Sequence, residues 1–139
     1  KVRTGLVLSE KGGALPEMIK PIKLGLGAAF GTGEQWQSWI HIEDLIQIYL
    51  YILRHELEGV YNGVAPNPVT NKELVKAIAK TLDKPLFLPN IPKFVMKLIL
   101  GEMHGLLFES QRVSSKKIEN NGFHFKYNYL KRALTDLLE

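Results

Sequence analysis

The chain contains no cysteine. This excludes disulfide scaffolds, thiolate metal sites and cysteine nucleophiles together, and it fits a reducing, cytoplasmic setting. Long uncharged apolar runs are also missing. The longest candidate, FVMKLILGEMHGLLF at 94–108, is broken by Lys97, Glu102 and His104, and a membrane helix needs roughly 18 apolar residues. No membrane partner is expected. The opening residues, KVRTGLVLSEKGG, hold too short an apolar run for a signal peptide. Charge is scarce in any one place: the net charge is +4, and the lysines are scattered from Lys1 to Lys131. A nucleic-acid footprint would cluster them among aromatics, so no nucleic-acid partner is expected.

Several catalytic signatures are absent as well. His41, His55, His104 and His124 fall in no metal-binding spacing. No serine sits in a Gly-x-Ser-x-Gly elbow. The one Tyr-x-x-x-Lys pair, Tyr127 and Lys131, lies in the C-terminal segment at ordinary helical spacing. No catalytic residue and no metal ligand is assigned.

What remains is ordinary globular composition. The chain has 139 residues, 45% of them hydrophobic and 23% charged, enough for one domain with a real core. Residues 2–8, VRTGLVL, read as a strand, and 14–23, ALPEMIKPIK, as a short helix with prolines near its ends. Residues 42–54 are the clearest helix, with Ile42, Leu45, Ile46, Tyr49, Leu50 and Leu53 as its stripe and further apolar residues on other faces. Residues 59–65 read as a strand. Thr70 and Glu73 form a capping box that opens a helix over 71–82. Helical character is expected again over 93–108, 114–120 and 129–138. The chain begins on a strand with no lead-in, which suggests that a longer polypeptide precedes it.

Three stretches invite a functional reading. GLGAAFGTG at 25–33 resembles a dinucleotide loop, but Gly31 follows Gly25 and Gly27 one position too late for Gly-x-Gly-x-x-Gly. A flexible loop over a pocket fits it better. In EQWQSWIHIEDL at 34–45, Trp36 and Trp39 can line a ligand pocket or pack an interface. His41 is either a base oriented by Asp44 or, as is commoner, a helix cap. Arg112 can clamp a phosphate or stand as a solvated surface cation.

RTGLVLS, GGAL, LGLG, Gln-x-x-Ser-Trp-Ile-His-Ile-x-Asp-Leu, Asn-x-VAPNPV-x-Asn-x-Glu and LILGEM occur here in one order. Together they resemble the C-terminal half of the nucleoside-diphosphate-sugar epimerase-like branch of the extended short-chain dehydrogenase/reductase superfamily. The stretch after about residue 85 resembles the helical domain of unknown function that ends such proteins. The resemblance implies an α/β fold: late strands of a Rossmann-like parallel sheet over 1–84, and a mostly helical substrate lobe over 85–139. It implies an absent N-terminal half that carries the nicotinamide-cofactor loop and any Tyr-centred site. The parent would use NADP or NAD on a nucleotide sugar, and this segment would bind neither cofactor tightly nor catalyse alone. By the same carry-over, Leu8 and Ser9 face the cofactor, and Gly12, Gly13, Gln35, Trp36, Trp39 and Arg112 face the substrate. Ile40 to Asp44 matches a block that is chiefly a helix entry. An unpaired sheet edge would make a homodimer possible. A stand-alone ligand- or protein-binding module is the alternative.

Overall fold

The computed structural model describes residues 1–101 and 110–139. The segment read as one strand is two. β1 (Val2–Thr4) and β2 (Leu6–Leu8) are separated at Gly5 and pair with different partners. β1 runs parallel to β5 (Tyr61–Gly63), with Val2 opposite Tyr61 and Thr4 opposite Gly63. β2 runs parallel to β4 (Trp39–His41), with Leu6 opposite Trp39 and Leu8 opposite His41. A third, antiparallel pair joins β3 (Trp36–Gln37) to β6 (Val69–Thr70).

Gly5 is where the chain changes partner. Its N–H donates to Gly63 O at 3.2 Å, and the next N–H, Leu6, donates to Ser38 O at 2.8 Å. Successive N–H groups of a strand point to opposite sides, so one residue serves both sheets. Both backbones come so close that a Cβ at Gly5 would lie 2.1 Å from Ser38 O. Glycine alone fits such an approach.

The helices cover these sheets. α1 (Ala14–Lys23) starts from Gly13, whose φ of 79° lies in the left-handed region. α2 (Ile42–Arg54) follows β4 directly. α3 (Asn71–Thr81) begins with the expected capping box, Thr70 accepting from Glu73 N–H and Glu73 from Thr70 N–H. α4 (Lys93–Leu100), α5 (Lys116–Asn120) and α6 (Leu130–Leu138) complete the described chain. The remainder of the helix expected over 93–108 lies outside the described residues.

Strand alternation divides the interior in two. Leu8 and Trp39 join α1, α3 and α6 in the larger core, around Leu15, Leu74, Ile78 and Leu134. Ile40, beside Trp39 in sequence, turns to a smaller core with Leu45, Ile48, Tyr61, Ile118, Phe123 and Phe125.

The stripe expected on α2 is corrected. The buried residues are Asp44, Leu45 and Ile48, whereas Ile46, Tyr49 and Leu53 are 50%, 46% and 73% exposed. A helix apolar nearly all round does not announce its inner face by periodicity. Here Asp44 selects it, because its carboxylate is drawn inward by two backbone N–H groups of the C-terminal segment, Lys126 at 3.0 Å and Tyr127 at 2.9 Å. No helix of the described residues is long and apolar enough to cross a membrane.

Candidate functional site

The site follows from the break at Gly5. β1 and β5 are parallel, and their carboxyl ends lie at Thr4 and Gly63. Open parallel sheets take ligands past such ends. Two adjoining hollows are found there, and they share Thr4, Gly5 and Gln111. One, of about 240 Å³, is walled by Leu6, Trp36, Gln37 and Ser38. The other, of about 370 Å³, is walled by Arg3, Asn62, Val64 and Val113.

One wall is built from a distant stretch of chain. Trp36 N–H donates to Ser110 Oγ at 3.0 Å, and Gln111 N–H donates to Trp36 O at 3.1 Å. The Ser38 hydroxyl donates to Gln111 O at 2.7 Å and accepts from Val113 N–H at 2.8 Å. Residues 110–113 are thereby sewn along 36–38. This brings the Arg112 guanidinium over the Trp36 ring, 4.5 Å from its centroid. Stacking occupies the flat face of the guanidinium and leaves its N–H edges to neighbours. Among the described residues no carboxylate forms an ion pair with Arg112. The arrangement can receive a polar ligand carrying negative charge.

The structure therefore brings Trp36 and Arg112 together and separates the other expected residues from them. Leu8, expected at the carboxyl end of a single long strand, is fully buried in the β2–β4 pair. Ser9 follows it, half-buried, and accepts from Lys11 N–H. Gly12 and Gly13 lie exposed before α1 and line neither hollow. Gln35 donates through Nε2 to Phe30 O at 3.0 Å and lines neither hollow. Trp39 is 0% exposed and its indole N–H donates to Asn67 O at 2.8 Å, so packing covers the whole ring. Missed residues are Thr4, Gly5, Ser38, Asn62 and Gln111. Of these only Gly5 left a signal, a lone glycine inside a strand pattern.

The glycine stretch 25–33 is a pinned connector. Ala28, Ala29 and Phe30 are buried; Phe30 N–H donates to Asn71 Oδ1 at 2.8 Å and Gly31 N–H to Ile91 O at 2.8 Å. The amides of Gly25, Leu26, Phe30, Gly31 and Gly33 are committed to protein acceptors, which argues against a phosphate cradle.

His41 is a cap. Its Nδ1 accepts from Glu43 N–H at 2.9 Å at the start of α2, and its Nε2 meets Asp136 Oδ2 at 2.8 Å. An N–H aimed at Nδ1 leaves Nε2 as the protonated nitrogen of the neutral ring. The carboxylate partner is thus Asp136 of α6; Asp44, expected in that role, binds the 126–127 backbone. Tyr127 stacks on the imidazole at 3.9 Å, and its hydroxyl donates to Glu43 at 3.2 Å. The bond from His41 holds the Asp136 carboxyl below the usual aspartate range, and burial pushes the Tyr127 phenol above its ordinary value. This cluster ties the start of α2 to the end of the chain.

Comparison with known proteins agrees with this architecture. Residues 7–63 match the NAD dependent epimerase/dehydratase family, and residues 91–137 match a domain of unknown function, DUF1731. The Epimerase family protein SDR39U1 homolog of Arabidopsis thaliana, named as chloroplastic, is 40% identical over 99% of this chain and 40% of its own length. The Bacillus subtilis Epimerase family protein YfhF is 44% identical over 98% of this chain and 45% of its own. The chain matches part of the epimerase family proteins. It spans under half the length of the curated relatives named here. The human epimerase family protein SDR39U1, solved with NADPH, superposes with a TM-score of 0.88 at 36% identity, over 98% of this chain and 46% of that one. A nucleoside-diphosphate sugar epimerase from Corynebacterium glutamicum gives 0.74 at 33%, over 99% of this chain and 25% of that one. A Thermus thermophilus UDP-glucose 4-epimerase gives 0.70 at 16%, over 98% and 44%, and shows the shared Rossmann-type fold.

Proposed function

We propose that this chain forms the substrate side of an NAD(P)-dependent epimerase-type enzyme acting on a nucleotide sugar. The observation that carries the reading is the double hollow past the carboxyl ends of β1 and β5, with Trp36 in its wall and Arg112, just outside the lining, stacked on that ring. A nucleotide sugar offers phosphate charge for a guanidinium edge and hydroxyls for Ser38, Asn62 and Gln111. The nicotinamide group supplies hydride exchange when bound. Thr4, Gly5 and Val64, which line the crevice, would flank it. The glycine-rich cofactor loop and the Tyr-centred acid/base pair belong to the N-terminal half, so the chain orients substrate and leaves the chemistry to that half. The domain division at about residue 85 fits a sheet-side segment followed by a substrate lobe.

The test is complementation. The chain is mixed with the N-terminal half of the Bacillus subtilis relative, with NADPH present, and UDP-glucose binding is followed by calorimetry. Saturable binding that needs both halves and weakens at least tenfold in Arg112→Ala supports the reading. UDP-glucose binding to the chain alone, unchanged by NADPH and the added half, would assign a binding module instead.

A further inference from the structure

A second concavity lies apart from the crevice and shares no lining residue with it. It opens between α1, the 26–30 connector and α3, and measures about 220 Å³. Its wall is formed chiefly by Met18, Ile22, Leu26, Phe30, Val75 and Ile91. The polar side chains on its rim, Glu17 and Lys20, pair with each other at 2.9 Å. For scale, a dry apolar cavity of about 150 Å³ takes up benzene. Large apolar groups at its edge stay in water: Leu26 is 53% exposed and Leu88, just beyond, 39%. Exposed apolar walls around a concavity mark a binding surface more than a folding need.

The charge beside it defines the occupant. Across Ala28 and Val75, which line both, the concavity adjoins a shallower one bounded by Lys72, Lys76 and Asn90. The two ammonium groups stand four residues apart on one face of α3. Among the described residues neither forms an ion pair, and the nearest acid in sequence, Glu73, is engaged in the capping box. An apolar hollow for a ring or short chain therefore meets unneutralised cations within a side chain's reach. We infer that this face binds a small amphipathic carboxylate, with its apolar part against Val75 and Phe30 and its charge at Lys72 and Lys76. A neutral apolar molecule would leave the lysines unused, and a nucleotide would bring hydroxyls to an apolar wall.

The experiment is an NMR titration of the full chain with octanoate, and with 1-octanol for comparison. Saturable octanoate shifts at Leu26, Ala28, Val75 and Ile91 are expected, with 1-octanol at least tenfold weaker. K72E/K76E, on the exposed side of α3, should weaken octanoate at least tenfold and leave 1-octanol unchanged. Ala28→Leu should weaken both ligands. Absence of saturation, shifts confined to Thr4, Ser38 and Gln111, or equal octanoate affinity in K72E/K76E would each overturn the proposal.

Discussion

Replacing Gly5 with alanine tests the architecture at its tightest point. The added methyl would sit 2.1 Å from Ser38 O and 2.7 Å from Val64 Cγ1. Val64 can rotate, but Ser38 is held. Its carbonyl accepts from Leu6 N–H, and its hydroxyl bonds both Gln111 O and Val113 N–H. Relief requires opening β2 from β4 or β1 from β5. Overpacking of this kind costs about 1–3 kcal/mol, and one lost backbone bond adds about 1. The stiffer unfolded chain returns about 0.4–1. The net is a loss of roughly 1–4 kcal/mol, the middle of which corresponds to roughly 10 °C of melting temperature for a chain this size. Gly12→Ala is the control, because a Cβ there meets nothing within 4 Å; it should stay within about 0.5 kcal/mol of the parent. Urea unfolding followed by circular dichroism measures both. Equal stability of Gly5→Ala and Gly12→Ala would refute the claim that Gly5 joins two sheets through one bare backbone.

Other outcomes follow from the same geometry. His41→Ala removes the α2 cap and the ring stacked on Tyr127; a cap loss of about 1 kcal/mol plus a cavity gives a total of roughly 2–4 by urea unfolding. Asp136 has a lowered folded-state pKa, so its contribution is full above the ordinary aspartate value near 4 and is lost as pH falls through the folded-state value. Asp136→Asn should flatten the acid limb of a stability-against-pH curve below about pH 4, and an unchanged limb would remove the His41–Asp136 hydrogen bond from the account. Thr70→Ala breaks the capping box and should cost about 1 kcal/mol, with Thr70→Ser restoring most of it. Trp36→Ala should weaken nucleotide-sugar binding about as much as Arg112→Ala does; additive losses in the double variant would mean that the two residues act independently.

What was legible in the sequence was local. The Thr70–Glu73 box spans four residues, and α3 opens where it was placed. α1 and α2 also have the expected limits, because proline placement and apolar density act within a few residues. The face of α2 was not legible, since Asp44 is turned inward by backbone groups more than 80 residues away. The strand over 2–8 is extended as expected except at Gly5, and that break was not legible for the same reason. Its propensity is uniform, and only the separate partners β5 and β4 reveal the change at Gly5. Trp36 and Trp39 show the limit most sharply. Three residues apart and alike in chemistry, one lies at a crevice wall and the other in the core, and what separates them is β2 on one side and the 110–113 segment on the other.

That segment also explains why the crevice depends on the end of the chain. Trp36 and Ser38 supply one edge, but the facing edge comes from residues 110–113. Past it, the 123–127 stretch is anchored to the start of α2 through Asp44 and Glu43, and α6 through Asp136 and His41. The helical C-terminal part is therefore attached to the sheet at both flanks of β4: along 36–38 on one, at 41–44 on the other. Arg112 has its position because the attachment along 36–38 holds. Phosphate recognition by a guanidinium needs a fixed planar fork, and a long side chain on a surface loop ordinarily lacks one. Stacking on Trp36, itself fixed by backbone bonds to Ser110 and Gln111, supplies it. On this reasoning the C-terminal part serves the crevice by shaping one wall, and the block from Gln35 to Asp44 is the seam by which it does so.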